Sequence, residues 1–406
     1  MKSNKERLWI ITELFYPEET STSFILSKIA NKLSDKYDVK VLCGYPTYDK
    51  NSRKPSFEIS DTIDIKRIKS FAGSKDKIIH RMLRFMTLSI ALCWSAMINI
   101  RKSDKVFIVT NPAPLLVLIS LLKKIKRFEL NVLVHDVFPE NTIPAGIIKS
   151  KKSFFYKILK AIFDKAYGNA SRLIVLGRDM KSIMEKKLQF KSLQPEIVIV
   201  PNWGDTINIQ ALPKNTFIRN DENAAKKIVF QYAGNMGRVQ GLLELLDIIS
   251  KVNNDKICFD FIGDGAVKND MIDFVRHNKM MHKVSFYPPY RRDEQQEVLG
   301  KCDVAIITLA KGMKGLGVPS KTYNILSAGK PVLFIGDEDS EISMLVREHE
   351  IGYTFVADDT LGLYNFFNSL TESDLLKLKL MGKKSREIAE QYYSEDKVLE
   401  KFYEIL

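Results

Sequence analysis

The sequence predicts an α/β protein built from two Rossmann-like domains, each a doubly wound parallel sheet, facing one another across a cleft. Three observations predict it. The chain has 406 residues, enough for two or three domains with a substantial core. Short apolar runs alternate with helix-length amphipathic stretches, as parallel strands joined by crossover helices require. The alternation stops once, over a polar stretch without period, and then restarts.

The first series of strands is "LWIIT" (8–12), "VKVLCG" (39–44), "KVFIVT" (105–110), "LNVLVHD" (130–136), "RLIVLG" (172–177) and "EIVIVPN" (196–202), with an amphipathic helix in "FILSKIANKLSDKY" after the first. The break is "NWGDTINIQALPKNTFIRNDENAAKK", rich in turn formers, which reads as a linker or hinge. The second series is "IVFQYAG" (228–234), "CFDFIGDG" (258–265), "VSFYPP" (284–289), "DVAIITL" (303–309) and "PVLFIG" (331–336). The expected domains are residues 1–205 and 206–385, followed by a helical tail over 386–406.

Charge divides the chain as well. Residues 1–200 hold 36 Lys and Arg against 19 Asp and Glu, which is +17; the remaining 26 and 30 give −4, and the sum is the overall +13. A strongly basic half suits an anionic surface, and nucleic acid and anionic lipid are the two candidates. No nucleic-acid fold motif is present, so no nucleic-acid partner is expected. Two stretches favour lipid. "HRMLRFMTLSIALCWSAMINIRK" (80–102) has an apolar core of about sixteen residues, short of the roughly twenty that span a bilayer. "KKSFFYKILKAIFDKAYG", from Lys151, sets Phe154, Phe155, Ile158, Leu159 and Ile162 on one helical face bordered by lysines, the pattern of a helix lying on a membrane. A solvated core helix would show much of the same pattern.

Cys43, Cys93, Cys258 and Cys302 lie far apart in apolar runs and read as free thiols of a reducing compartment. "MKSNKER" followed by a short apolar run lacks the features of a signal peptide. The expected location is cytoplasmic, peripheral on the inner face of the cell membrane. Five histidines offer no His-rich metal cluster, and no metal or cofactor is expected.

In open parallel sheets ligands bind beyond the carboxyl ends of the strands, so the loops there carry the chemistry. "AGNMGRVQG" surrounds Arg238 and Gln240 with Gly234, Gly237 and Gly241, beside Asn235, at the start of a helix. Glycines permit close backbone approach, helix N–H groups attract anions, and arginine forks onto phosphate oxygens. The motif is neither G-x-G-x-x-G nor a Walker A sequence, and no acidic residue stands where NAD ribose would need one, which demotes a dehydrogenase. "GVPSKTYNILSAG" supplies a second anion site. Ser320 is a natural N-cap after Pro319, followed by Lys321, Thr322 and Asn324, with Gly329 ending the helix. A lysine in the first turn opposes the helix dipole at about 0.3–1 kcal/mol, a placement that makes sense if a phosphate sits above it. In the first series, His135, Asp136 and Glu140 follow one strand. Glu13, Glu18 and Glu19 follow another, with Ser21 and Thr22 close behind. A histidine there suits sugar or phosphate contact.

These stretches together resemble bacterial family 4 glycosyltransferases of the two-Rossmann GT-B type. The resemblance runs end to end through "ITELFYPEETSTSF", "VHDVFPENTIPAGI", "VPNWGD", "AGNMGRVQG", "FIGDGAVKNDM", "FYPPYRRDE", "CDVAIITL" and "GVPSKTYNILSAGKPVL". It is greatest to the O-antigen and capsule branch that includes L-fucosamine transferases. The resemblance implies a nucleotide-diphosphate-sugar donor on the C-terminal domain, UDP-linked by analogy, and a lipid-linked (polyprenyl diphosphate) saccharide acceptor on the N-terminal domain. It implies retention at the anomeric carbon without a metal. By position, Arg238 matches the arginine that neutralises the diphosphate, His135 the histidine that contacts the donor sugar, and Tyr287 to Arg291, with Tyr290, the base-binding loop. Residues 386–406 match the helix that crosses back to the N-terminal domain. Glu13, Ser21, Thr22 and Asp136 fall on the acceptor and sugar side. The family's two glutamates, eight apart, are here Leu316 and Asn324. Asn324 keeps hydrogen bonds to ribose without charge, Lys321 supplies a cation where Gln240 replaces one, and Glu338, Asp339 or Glu341 offer acids for the sugar. A sugar-nucleotide 2-epimerase of the same architecture and a non-catalytic membrane-surface protein are the rival readings.

Overall fold

The computed structural model describes residues 5–18, 20–46, 57–69, 78–189, 194–212 and 227–406. The chain forms two compact units. One comprises residues 1–201 with Gly315–Gly317 and Val398–Leu406; the other comprises Asn202–Lys314 and Val318–Lys397.

The first unit is a seven-stranded, all-parallel sheet. Its strands are β1 (Arg7–Thr12), β2 (Asp38–Gly44), β3 (Asp64–Ile68), β4 (Lys105–Val109), β5 (Glu129–Val134), β6 (Arg172–Val175) and β7 (Glu196–Ile199), in the order β3-β2-β1-β4-β5-β6-β7. Order reverses between β1 and β4, the position at which such sheets take ligands. Helices α1 (Ser21–Leu33), α2 (Ile78–Asn99), α3 (Ala113–Lys126), α4 (Phe154–Gly168) and α5 (Arg178–Leu188) are the crossovers. The inner strands are nearly continuous aliphatic runs because both faces are covered; Leu8, Ile10, Ile11, Ile108 and Val132 are fully buried. Helix α1 starts at Thr20, whose Oγ1 accepts the Ser23 N–H. The segment from Val398 packs back on this sheet, with Phe402 edge-on to Phe107 and Lys105 Nζ 2.7 Å from the Leu406 carbonyl.

The second unit is a six-stranded parallel sheet in the order β10-β9-β8-β11-β12-β13. The strands are β8 (Ile228–Ala233), β9 (Ile257–Ile262), β10 (Val284–Tyr287), β11 (Val304–Thr308), β12 (Val332–Gly336) and β13 (Gly352–Val356). Here the switch lies between β8 and β11, which pair directly. Its core is aromatic: Phe230 stacks on Phe259, and Phe367 meets both edge-on.

The two doubly wound sheets are those the sequence predicts. Strands β3 and β13 are absent from the sequence reading. Both are outermost in their sheets and only partly buried, so neither carries a clear apolar run. The expected hinge is also different. Residues 213–226 lie outside the described residues, but 202–212 are packed into the second unit. Trp203 is buried and its Nε1 donates to Glu395 at 3.1 Å. The Arg386 guanidinium donates to the carbonyls of Thr206, Ile209 and Ser327 at 2.8, 2.5 and 2.6 Å. A polar sequence without period can thus be fixed by one arginine that satisfies its carbonyls. All four cysteines are free, three of them buried and Cys93 half-buried.

Candidate active site

The loops that carry Gly234, Arg238 and Lys321 flank the switch point of the second sheet. Because β8 and β11 are neighbours, the loop after β8 and the loop from β11 to the helix Lys321–Ser327 lie side by side. Gly234 has φ +143°, a backbone conformation that favours glycine, and a Cβ built there would lie 3.7 Å from Lys321 Cδ and 3.9 Å from its Nζ. Lys321 therefore packs in van der Waals contact over Gly234. Gly263 is needed for the same loop, since its Cβ would strike the Gly234 carbonyl at 2.0 Å.

Lys321 Nζ is buried and has no hydrogen-bond partner among the described residues. It sits 3.3 Å above the centroid of the Tyr232 ring. Burial lowers its pKa to about 7. One expectation changes here. Ser320 occupies the N-cap position, but its side chain makes no cap bond. Lys321 is the first residue of a seven-residue helix, and burial is the cause of its lowered pKa.

Arg238 is exposed, in a single 3-10 turn (Arg238–Gln240) ahead of the helix Leu242–Lys251; Gly241, at φ +63°, joins the two. Gln240 Oε1 is buried without a partner, and a Cβ on Gly237 would meet it at 2.6 Å. Asn235 is exposed, and its carbonyl accepts the Tyr232 hydroxyl at 2.6 Å. In the expected base loop, Tyr287 is exposed and Tyr290 half-buried, acting electrostatically on Tyr232. Arg291 is turned to Asp293 at 2.7 Å.

Several residues have their polar groups engaged inside the unit. Thr322 Oγ1 donates to the Pro319 carbonyl at 2.8 Å. Asn324 accepts the Asp205 N–H at 2.9 Å and donates to Gln295 at 3.2 Å, so both ends of its amide brace the chain after Trp203. Glu338 and Asp339 are exposed and lie 3.4 and 3.7 Å from Arg347, and Asp339 also pairs with Lys314 at 3.0 Å.

In the first unit, the β5 loop is fastened to β4. Thr110 Oγ1 accepts the N–H groups of both His135 and Asp136 at 3.1 Å. Tyr167, on α4, takes the Phe138 N–H at 3.2 Å on its hydroxyl. His135 Nε2 is buried without a partner, and burial lowers the pKa to about 4, which keeps the imidazole neutral. Burial raises the Asp136 pKa to about 6, opposed by a hydrogen bond from Asn141. Gly315–Gly317 belong to this unit. The Gly315 N–H donates to Asp179 Oδ2 at 2.9 Å, and the Leu316 carbonyl accepts the Val137 N–H at 3.0 Å. A Cβ on Gly317 would lie 3.6 Å from Asp136 Oδ1. Leu316, standing where the resembled family has a glutamate, is buried.

Glu13 is buried and paired with Arg84 at 2.9 Å. Ser21 and Thr22 lie in the first turn of α1, exposed and half-buried. Glu19 lies outside the described residues. Sequence reasoning missed Tyr232, Thr110 and Asp179. Each reads as an ordinary strand, turn or helix residue, and each acts through a neighbour that only the sheet order supplies. Among the described residues, no three His, Cys, Asp or Glu side chains are placed to hold a metal ion.

No model of a protein family matches the chain. A relative from Pseudomonas aeruginosa, named "Probable glycosyltransferase WbjE", is 32% identical over 401 residues, covering 98% of this chain and 96% of the relative. The chain belongs to the glycosyltransferases. A second relative of this glycosyltransferase is WcaI of Escherichia coli K12, named for colanic acid biosynthesis glycosyl transfer, 23% identical over 169 residues and covering 41% of each. Among solved structures, Anabaena Alr3699/HepE in complex with UDP superposes with a TM-score of 0.68 at 15% identity, covering 98% of both chains. That likeness shows the fold, two Rossmann-like domains in the GT-B arrangement.

Proposed function

We propose that this glycosyltransferase moves a sugar from a nucleotide-diphosphate donor, a UDP-sugar, to a lipid-linked (polyprenyl diphosphate) saccharide during O-antigen or capsule biosynthesis. The reading places it in family 4, as a retaining enzyme, with N-acetyl-L-fucosamine the sugar suggested by the branch it resembles. One observation carries the reading: a buried ammonium with no counter-ion among the described residues, lying over Gly234 at the switch point of the second sheet. An isolated buried cation is costly, and an anion that enters beside it removes the cost. The UDP held by HepE and the colanic acid role in the name of WcaI agree with that reading.

In the proposed reaction the bond from the sugar C1 to the β-phosphate oxygen breaks, and its electron pair leaves on the diphosphate. The acceptor hydroxyl oxygen bonds to C1, and its proton goes to the departing phosphate. Arg238 and Lys321 meet the charge that develops on the leaving group. Neutral His135 orients the sugar by hydrogen bonding, and Asp136 is ionised above pH 6. The acceptor rests on the first unit, at the inner face of the membrane. The test is UDP release from candidate UDP-sugars with membrane lipid extracts as acceptor. Acceptor-dependent release supports transfer. A new sugar nucleotide formed from donor alone identifies an epimerase, and failure of every nucleotide sugar to bind identifies a scaffold.

A further inference from the structure

We infer that one continuous face of the first unit, built by α2, α3 and α4 together, seats the protein in the surface of an anionic bilayer. The inference deepens the reading above by naming the surface that meets the acceptor's membrane. The three helices lie edge to edge, α2 against α3 and α3 against α4. Their sheet-facing sides are buried through Leu92, Ile119 and Phe163. Their outward sides expose large apolar groups: Ile90, Trp94 and Ile98, four apart on α2; Ile125 on α3, 77% exposed; Phe154, 80% exposed, and Phe155 on α4.

The sequence treats α2 and α4 as separate candidates; α3 joins them. Helix α2 has 22 residues, and its segment Met82–Asn99 is long and apolar enough to cross a membrane by length and composition. It nevertheless lies on the sheet through Leu88, Leu92 and Ala96 and is held by the Arg84–Glu13 pair, so it meets lipid lengthwise.

Charge decides the occupant. Helices α2 and α3 contain no Asp or Glu. The single carboxylate of α4, Asp164, is turned inward to Lys187 and Lys160. Exposed Arg101 and Lys102 follow α2, exposed Lys124 lies on α3, and exposed Lys151, Lys152 and Lys157 precede or open α4, so these helices carry cations in excess. A second copy would bring the same cations against these, whereas an anionic leaflet gains about 1 kcal/mol per nearby cation.

The three tryptophans make the test specific, because Trp9 and Trp203 are buried and Trp94 is 63% exposed. Vesicles of phosphatidylcholine with 30% phosphatidylglycerol (an illustrative about one-third anionic content) should bind the protein at least about tenfold better than phosphatidylcholine alone. Brominated acyl chains should quench Trp94. The double change Phe154→Ser, Phe155→Ser should weaken binding about tenfold or more with Tm and UDP binding unchanged. Unquenched Trp94, or undiminished binding by the double variant, overturns the inference. A dimer lost in the double variant identifies a second copy instead. UDP titrated into the same samples separates the two ideas: vesicle binding without UDP binding sinks the donor reading and leaves the docking face standing.

A different observation carries a second inference, which rests on the donor reading. We propose Tyr232 as the positioning residue that holds the Lys321 ammonium over Gly234. Its ring face lies under Nζ, and its hydroxyl donates to the Asn235 carbonyl at 2.6 Å, which holds the far end of the side chain in place. A ring face stabilises a cation without neutralising it, leaving the charge free for an incoming anion. Tyr290 is the titratable neighbour of Tyr232, Arg292 acts on Tyr290, and among the described residues no carboxylate pairs with Lys321. The probe is UDP, titrated by calorimetry from pH 6 to 9 (about one unit below to two above the lysine value). Tyr232→Phe keeps the ring and should bind within about threefold of wild type. Tyr232→Leu should bind about tenfold more weakly, with the alkaline decline in affinity moved to lower pH. Tyr232→Met serves if the Leu variant does not fold. Identical affinities and pH profiles for the ring-bearing and ringless variants overturn the proposal. No UDP binding by the wild type overturns the donor reading instead.

Discussion

Two buried lysine ammoniums, one in each unit, are treated in opposite ways. In the first unit, Lys187 has a side chain only 1% exposed, and its Nζ lies 2.7 Å from both oxygens of Glu140 and 2.5 Å from Asp164. It ties α5 to α4 and to the loop after β5. In the second unit, Lys321 Nζ is equally hidden and has no acceptor among the described residues. A paired buried charge is part of the scaffold. An unpaired one is a cost that the folded protein carries, and the natural reason to carry it is a ligand that completes the pair. On the proposed reading the same parallel-sheet architecture holds Lys187 for folding and Lys321 for binding, and only their surroundings tell them apart.

The sharpest way to break this comparison is to remove each ammonium. Lys187→Met should destabilise the protein by about 3 kcal/mol or more, because Glu140 and Asp164 stay behind partly unpaired. Lys321→Met should do the reverse and raise the Tm of the ligand-free protein, while turnover falls on the order of 10²–10³-fold. The sign depends on pH. With the folded pKa lowered to about 7, the cost of the buried cation is full below pH 7 and shrinks as pH rises toward the ordinary lysine value. The gain in Tm should therefore be larger at pH 6 than at pH 9. Scanning calorimetry of the two variants checks both signs, and a Tm that falls in Lys321→Met counts against an unpaired cation.

Arg238 sharpens the contrast from the solvent side. Being exposed, it should contribute to ligand binding with little effect on stability. Arg238→Ala should lose about 10–100-fold in turnover with stability changed by no more than about 0.5 kcal/mol. Steady-state UDP release beside a melting curve tests this, and unchanged turnover removes Arg238 from the site.

The smallest expected effect is a pH limb. Asp136, raised to about 6 by burial, is protonated below that value. Activity that needs its carboxylate should decline below pH 6, and Asp136→Asn should lower activity and flatten that limb. His135 is already neutral across this range, so it contributes no limb above about pH 4. Persistence of the acid limb in Asp136→Asn assigns it elsewhere.

What the sequence disclosed follows from what fixes each feature. Apolar runs set the inner strands and were readable; edge strands β3 and β13 are half polar and were not. Gly234 and Lys321 could be singled out because small residues and cations after strands are uncommon without purpose. Their contact could not, because it depends on β8 and β11 being neighbours although some 70 residues separate them. Asn324 looked free for a ligand and instead braces Asp205. Arg386, in the expected tail, holds two carbonyls of the expected hinge, those of Thr206 and Ile209, together with that of Ser327. Side chains that serve another segment's backbone leave no local pattern to read.

The central claim is that Lys321 meets a diphosphate. Calorimetric titration of UDP and UMP into wild type and Lys321→Met at pH 6.5, about half a unit below the lysine value, tests it most directly. The account predicts that wild type binds UDP at least about tenfold more tightly than UMP and that the variant loses this preference. A variant that still prefers UDP to UMP by the wild-type margin would contradict it.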